Sequence, residues 1–174
     1  MVANLVLTSA STPPNWNGAS STYTGISNHG NNRMGITAGA MKQLRAHAQF
    51  SQIRFYCSKK SGTTIHLKTT LDSKGEDVVK YFSYESDVLP ASCDSFIRME
   101  GDTSRLSTQC SRWGNDNGHY VGKWGHSNRK GEYRLYSYAA FVAHQYHWIA
   151  DQWMCDDKTN NNLSSGDFWK IYVR

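Results

Sequence analysis

QIRFYCSKKSGTTIHLKTT, residues 52–70, is the stretch that decides the fold. Ile53, Phe55 and Cys57 fall on one side of an extended chain and Arg54 and Tyr56 on the other, the period of a strand with one face buried. Ser61-Gly62 supplies a hairpin turn, and Thr63 to Thr70 returns with Ile65 and Leu67 inward and His66 and Lys68 outward. Asp167 to Arg174 reads as a last strand. Phe168, Lys170 and Tyr172 there oppose Trp169, Ile171 and Val173, and apolar groups on both sides predict a central position in the sheet.

Outward from these strands the pattern is less regular. Asn4 to Thr8 alternates weakly, as a first strand would, and Ser9 to Gly35 follows as an Asn-, Ser- and Gly-rich segment that is long for a loop in a compact domain. Either residues 13–35 form part of a binding face that displays Trp16 and Tyr23, or the segment is a coil held down by those rings. Thr37 is a candidate cap for a helix with Met41, Leu44 and Ala48 on a single buried stripe, although Gly39 weakens it. Asp72-Ser73-Lys74-Gly75 is turn-rich. Glu76 to Tyr84, with Val78, Val79, Tyr81 and Phe82, suits a short helix or a buried strand and is read here as strand. Glu132 to Ala139 alternates again, and Phe141 to Ile149 continues as an apolar and aromatic run. No internal repeat organises the chain. The expectation is a single domain over residues 1–174, α+β and β-rich: a mostly antiparallel sheet or sandwich, one or two short helices, long loops and disulfide stabilisation.

The composition is aromatic and polar rather than aliphatic, as short strands joined by many turns require. A net charge of +5 favours acidic partners such as nucleic acid, anionic lipid or acidic glycans. Only Lys59-Lys60 and Arg129-Lys130 are adjacent, so no basic run resembles a nucleic-acid arm. No stretch approaches the apolar length that spans a bilayer. Cys57, Cys93, Cys110 and Cys155 are even in number and lack metal-type spacing, which argues for disulfides over zinc. Three pairings are possible, and buried free thiols are the alternative. The preferred pairs are Cys93 with Cys110, around turn residues Gly101, Asp102 and Ser104, and Cys57 with Cys155. Loop closure would give about 3 kcal/mol for the short link and about 5 for the long one. Oxidised cysteines imply secretion. Met1 to Thr12 has no basic start and only a brief apolar run, so the chain reads as a mature one with an added Met1, and the Asn162-Leu163-Ser164 sequon fits weakly with export.

RWGNDNGHYVGKWGHSNRKG, residues 112–131, has no apolar periodicity and reads as an ordered surface loop whose base Cys110 would fix. Trp113, Tyr120 and Trp124 would offer rigid ring faces to a sugar, Asp116, Asn117, His119 and His126 would satisfy its hydroxyls, and Lys123 with Arg129 would favour acidic sugars. In the opposing reading both indoles are buried and the glycines only turn the chain. Asn115-Asp116-Asn117-Gly118 gathers oxygen ligands as calcium loops do, but lacks the later bidentate acid. His144 and His147 would share a face on a helix, where Asp151, Asp156 or Asp157 would complete a metal shell; on a strand they point apart, which is the reading preferred here. No phosphate loop, nucleophile elbow or HExxH pattern is present.

Across RFYCSKK (54–60), LPASCDSF (89–96), DTSRLSTQCSRWG (102–114), GKWG (122–125) and the closing GDFWKIYVR, the chain resembles a secreted domain of corals and related cnidarians. The family it resembles is the cnidarins, antiviral proteins of soft corals that act on a viral envelope glycoprotein; length and cysteine count are also similar. The likeness covers residues 54–174 and implies secretion, oxidised cysteines and recognition of a heavily glycosylated partner. It carries no binding residues over. The sequence reading is thus a secreted, non-enzymatic, lectin-like binder of a glycan or glycoprotein, with no cofactor, no bound metal, no nucleic-acid partner and no membrane insertion. The alternatives are an extracellular matrix protein or a metal-dependent hydrolase using His144, His147 and a carboxylate.

Overall fold

The computed structural model describes residues 1–11, 19–131, 134–137, 140–142, 146–158 and 162–174. Among them are ten strands: β1 (Ala3–Val6), β2 (Ala19–Ser20), β3 (Arg33–Ile36), β4 (Ile53–Ser58), β5 (Thr64–Thr69), β6 (Phe96–Arg98), β7 (Ala140–Val142), β8 (Tyr146–Ile149), β9 (Met154–Asp157) and β10 (Phe168–Val173). Two α-helices, α1 (Ala38–Ala48) and α2 (Ser73–Phe82), complete an α+β, strand-rich architecture. The first sheet runs β2-β3-β1-β10-β4-β5-β6 and the second β7-β8-β9. Every strand pair is antiparallel except β2 with β3. Among the described residues no helix is long and apolar enough to cross a membrane.

The hairpin read from residues 52–70 is β4 and β5, and β10 lies centrally, between β1 and β4. Register then sorts side chains into cross-strand rows. Leu5, Trp169, Cys57 and Ile65 form one row, and Ala3, Ile171, Phe55 and Leu67 another, all buried. The opposite face carries Asn4, Lys170, Tyr56 and His66 in one row and Tyr172, Arg54, Lys68 and Ile97 in the next. His66 points outward as expected, yet it is buried, because its ring stacks on Tyr56 at 4.2 Å and Nδ1 meets the Glu100 carbonyl at 2.8 Å.

Both helices contribute their apolar faces to the core that the buried rows begin. The Thr37 hydroxyl accepts from the Ala40 amide and starts α1, which buries Met41 and Leu44. Ala48 is exposed at its end, so the stripe is one turn shorter than the spacing predicted. Residues 76–82, read as strand, are helix. The Asp72 carboxylate accepts from the Gly75 amide at 3.1 Å, so what looked like a turn is an N-cap, and this bond holds the carboxyl below its ordinary range. Gly75, Val78, Val79 and Phe82 then repeat at i, i+3, i+4 and i+7, the stripe of an amphipathic helix, and all are buried.

Three other expectations change. The segment after Ser9 is broken by β2, a 3-10 turn at Tyr23–Asn28 and β3; Tyr23 packs half-buried against the core and His47, while Trp16 lies outside the described residues. Of the alternating stretch Glu132 to Ala139, Arg134 to Tyr136 form a buried turn, and residues 132–133 and 138–139 lie outside the described residues. The run from Phe141 to Ile149 contains two paired strands, not one.

Phe55 is the hub of the core. Its ring meets Phe82 at 5.1 Å, Trp124 at 5.4 Å and Trp148 at 5.7 Å, so one side chain touches α2, the 112–131 loop and β8. The disulfides pair as preferred: Cys57–Cys155 joins β4 to β9, and Cys93–Cys110 ties the residue stretch before β6 to the loop that follows it. Asp102 organises that loop, accepting from the amides of His66 (2.8 Å) and Ser104 (3.1 Å) and from the Ser107 hydroxyl (2.8 Å). Because the links span 98 and 17 residues, replacing Cys57 and Cys155 by Ala should cost about 5 kcal/mol and replacing Cys93 and Cys110 about 3. Chemical denaturation of the two double variants checks that order.

Candidate ligand-binding site

The loop at residues 112–131 is ordered, as its sequence implied, and its own backbone accounts for that order. The Trp113 carbonyl accepts from Val121 (3.3 Å) and Lys123 (3.1 Å), while Trp124 donates to the Pro90 carbonyl (2.9 Å) and Ser92 to that of Gly122 (3.0 Å). These bonds lay the loop against residues 90–92, beside the Cys93–Cys110 crosslink. Asp116 and His119 exchange both amide bonds across a two-residue turn at Asn117-Gly118, and the Asn115 carboxamide oxygen accepts from the Gly118 amide. Asn115 therefore braces the turn.

The two indoles face inward. Trp113 and Trp124 are 0% and 1% exposed, which corrects their assignment as ligand-facing rings. Trp113 stacks on Phe96 at 4.8 Å and donates to the Leu106 carbonyl at 2.8 Å; Trp124 meets Trp113 edge-on at 4.8 Å and donates to the Ser95 hydroxyl at 2.8 Å. The glycines after them are dictated by the same packing. Gly114 and Gly125 have φ of 72° and 81°, and a Cβ would fall 2.3 Å from the Lys123 carbonyl oxygen or 2.4 Å from the Tyr81 hydroxyl. Each Trp-Gly pair is a plug and a bend.

The polar residues of the loop lie toward solvent. Asn117 and His119 are exposed at the turn, whereas Asp116, Tyr120, Lys123 and His126 are half-buried. Burial, helped by Arg129, lowers the His126 pKa. The eight expected contacts thus divide into two core anchors and a polar rim, and none lines the hollow that opens where the loop ends.

That hollow, about 440 Å³, is bounded by Ala38 and Lys42 of α1, residues 84–87 after α2, and Lys130, Gly131 and Arg134. Its floor is fixed. Arg134 is 2% exposed; its guanidinium donates to the carbonyls of Tyr81 (2.7 Å), Ser86 (2.8 Å) and Lys130 (2.7 Å) and to the Asp87 carboxylate. It also lies over the rings of Tyr81 at 4.3 Å and Tyr84 at 4.6 Å. Lys42, Lys130, Glu85 and Ser86 supply donors and acceptors around this floor. Sequence reasoning missed the site because its walls come from three separated segments with no local motif.

The carboxylates considered for a metal shell have other partners. Asp156 accepts from the amides of Arg105 and Leu106, both at 2.8 Å, Asp157 from Lys59 at 2.5 Å, and Asp151 from the Ser137 hydroxyl at 2.5 Å; burial raises the pKa of all three against those bonds. Among the described residues no three His, Cys, Asp or Glu side chains group to hold a metal, and His144 lies outside the described residues. His147 sits on β8, where burial, with Lys158 adding to it, lowers its pKa to about 4.

Two outcomes follow. Trp113→Ala or Trp124→Ala should each cost about 3–5 kcal/mol, while His119→Ala at the exposed turn should stay within about 0.5; denaturant titration separates them. Because His147 is neutral in the fold with a pKa of about 4 against an ordinary 6.5, its stabilisation is complete above that ordinary value and is lost as pH falls toward 4. His147→Gln should therefore show a shallower loss of stability over that window than the parent. Compared with protein-family models, with curated proteins and with solved structures, the chain matches none.

Proposed function

We propose that this protein is a secreted, non-enzymatic binder of glycans on glycoproteins, and that the sugar enters the hollow between α1, the end of α2 and the close of the 112–131 loop. The observation that carries this reading is the rigid, polar floor at Arg134 beneath an opening of about 440 Å³, within the size range of small-ligand sites. A site with hydroxyl, carboxylate and ammonium groups around a fixed guanidinium suits a polyhydroxylated ligand, since each sugar hydroxyl both donates and accepts. Preorganisation reduces the ordering cost on binding. Lys42 and Lys130 favour acidic sugars.

Two disulfides support an oxidising, extracellular setting. The likeness to cnidarins supplies the partner class within this reading: a heavily glycosylated viral envelope protein, with antiviral activity as the outcome of masking it. The Trp113 and Trp124 rings have no part in the contact. They hold the loop that carries Lys130.

Glycoprotein capture by the purified protein, before and after enzymatic removal of the partner's glycans, tests the reading. Capture should depend on the glycans, and the Lys42→Ala/Lys130→Ala double variant should bind roughly tenfold or more weakly, the scale of losing one or two charge-assisted hydrogen bonds. Capture that survives deglycosylation would overturn the glycan reading, and unchanged binding by the double variant would overturn the site.

A further inference from the structure

The face of the large sheet opposite the core is a second surface with its own chemistry. On it Lys170 of β10, Arg54 of β4 and Lys68 of β5 come from three adjacent strands, interleaved with Phe168, Tyr172, Tyr56 and His66. No carboxylate occurs in the paired positions of this face. Among the described residues none of the three cations makes a salt bridge. Asp102, near its edge, is taken up by Arg98, Ser104, Ser107 and the His66 amide.

The cations are positioned by the rings. The Arg54 guanidinium lies 5.2 Å from the Tyr56 ring and 4.9 Å from that of Tyr172, and the Lys170 ammonium lies 4.8 Å from the Phe168 ring. Arg54 Nε is buried with no hydrogen-bond partner among the described residues. Beside it a hollow of about 200 Å³ opens among Arg54, Lys68, Tyr172 and Arg174, room for one tetrahedral anion.

From this we infer that the face binds a sulfated polysaccharide chain, with sulfate groups on Arg54, Lys68 and Lys170. A single exposed ion pair contributes little. Three cations spread over strands about 4.8 Å apart suit a polymer with repeated charges, which releases counterions at each contact. Single-stranded nucleic acid fits less well, because base recognition on a sheet needs open ring faces and here guanidinium, ammonium and imidazole groups occupy them. The surface is separate from the proposed glycan hollow and does not depend on it.

Binding of the whole protein to heparin, a sulfated polysaccharide, over a series of salt concentrations tests the inference. The protein should bind. In Lys68→Gln/Lys170→Gln the slope of log affinity against log salt should flatten by about two, one for each charge removed. Lys74→Gln/Lys80→Gln on α2, across the sheet, removes equal charge and should leave the slope in place. Should the first pair unfold by circular dichroism, Lys170→Gln alone should flatten the slope by about one. No heparin binding, an equal loss in both double variants, or tighter binding to single-stranded DNA than to heparin overturns the proposal.

Discussion

The contact of the Phe55 ring with Phe82, Trp124 and Trp148 is the constraint on which the rest of the structure depends. Those partners belong to a helix, an irregular loop and the second sheet. Aromatic pairs add to the burial of their large areas by preferring particular angles, so this junction fixes orientation as well as proximity. The chain is poor in aliphatic side chains, and the rings take over what leucine and isoleucine do elsewhere. All five described tryptophans are buried.

Anchoring from within explains how a loop without regular secondary structure presents a defined surface. Trp113 and Trp124 sink into the core, Gly114 and Gly125 let the backbone pass Lys123 and Tyr81, and the Cys93–Cys110 link closes the base. Arg134 lies over the same Tyr81 ring that Gly125 passes, so the packing that seats the loop also seats the floor of the hollow. Structure and candidate site share one element.

What the sequence disclosed follows from how local each signal is. The β4–β5 hairpin and the central last strand were legible because alternation over six residues needs no knowledge of the neighbours. The helix α2 was not, because its stripe begins at Gly75, inside what reads as a turn, and its β-branched valines suit a strand equally well. The preferred cysteine pairing is the one the fold adopts. The inward direction of the indoles was not legible: a Trp-Gly pair serves a buried plug and a displayed ring alike, and only the stacking partner Phe96 decides between them. The Arg134 hollow joins Ala38 and Lys42, residues 84–87, and Lys130, Gly131 and Arg134, a meeting no local pattern announces. Likewise Arg54 and Lys68 read as outward-facing, but their company with Lys170 required the pairing register.

The place of β10 bears on how the molecule is made. It fills the middle of the large sheet, where Ala3 meets Ile171 and Ile171 meets Phe55. Until that segment docks, β1 and β4 have no neighbour in common, and two strand edges stay unsatisfied. Such distant pairing slows folding, and it leaves the two strands open to wrong partners until β10 docks between them.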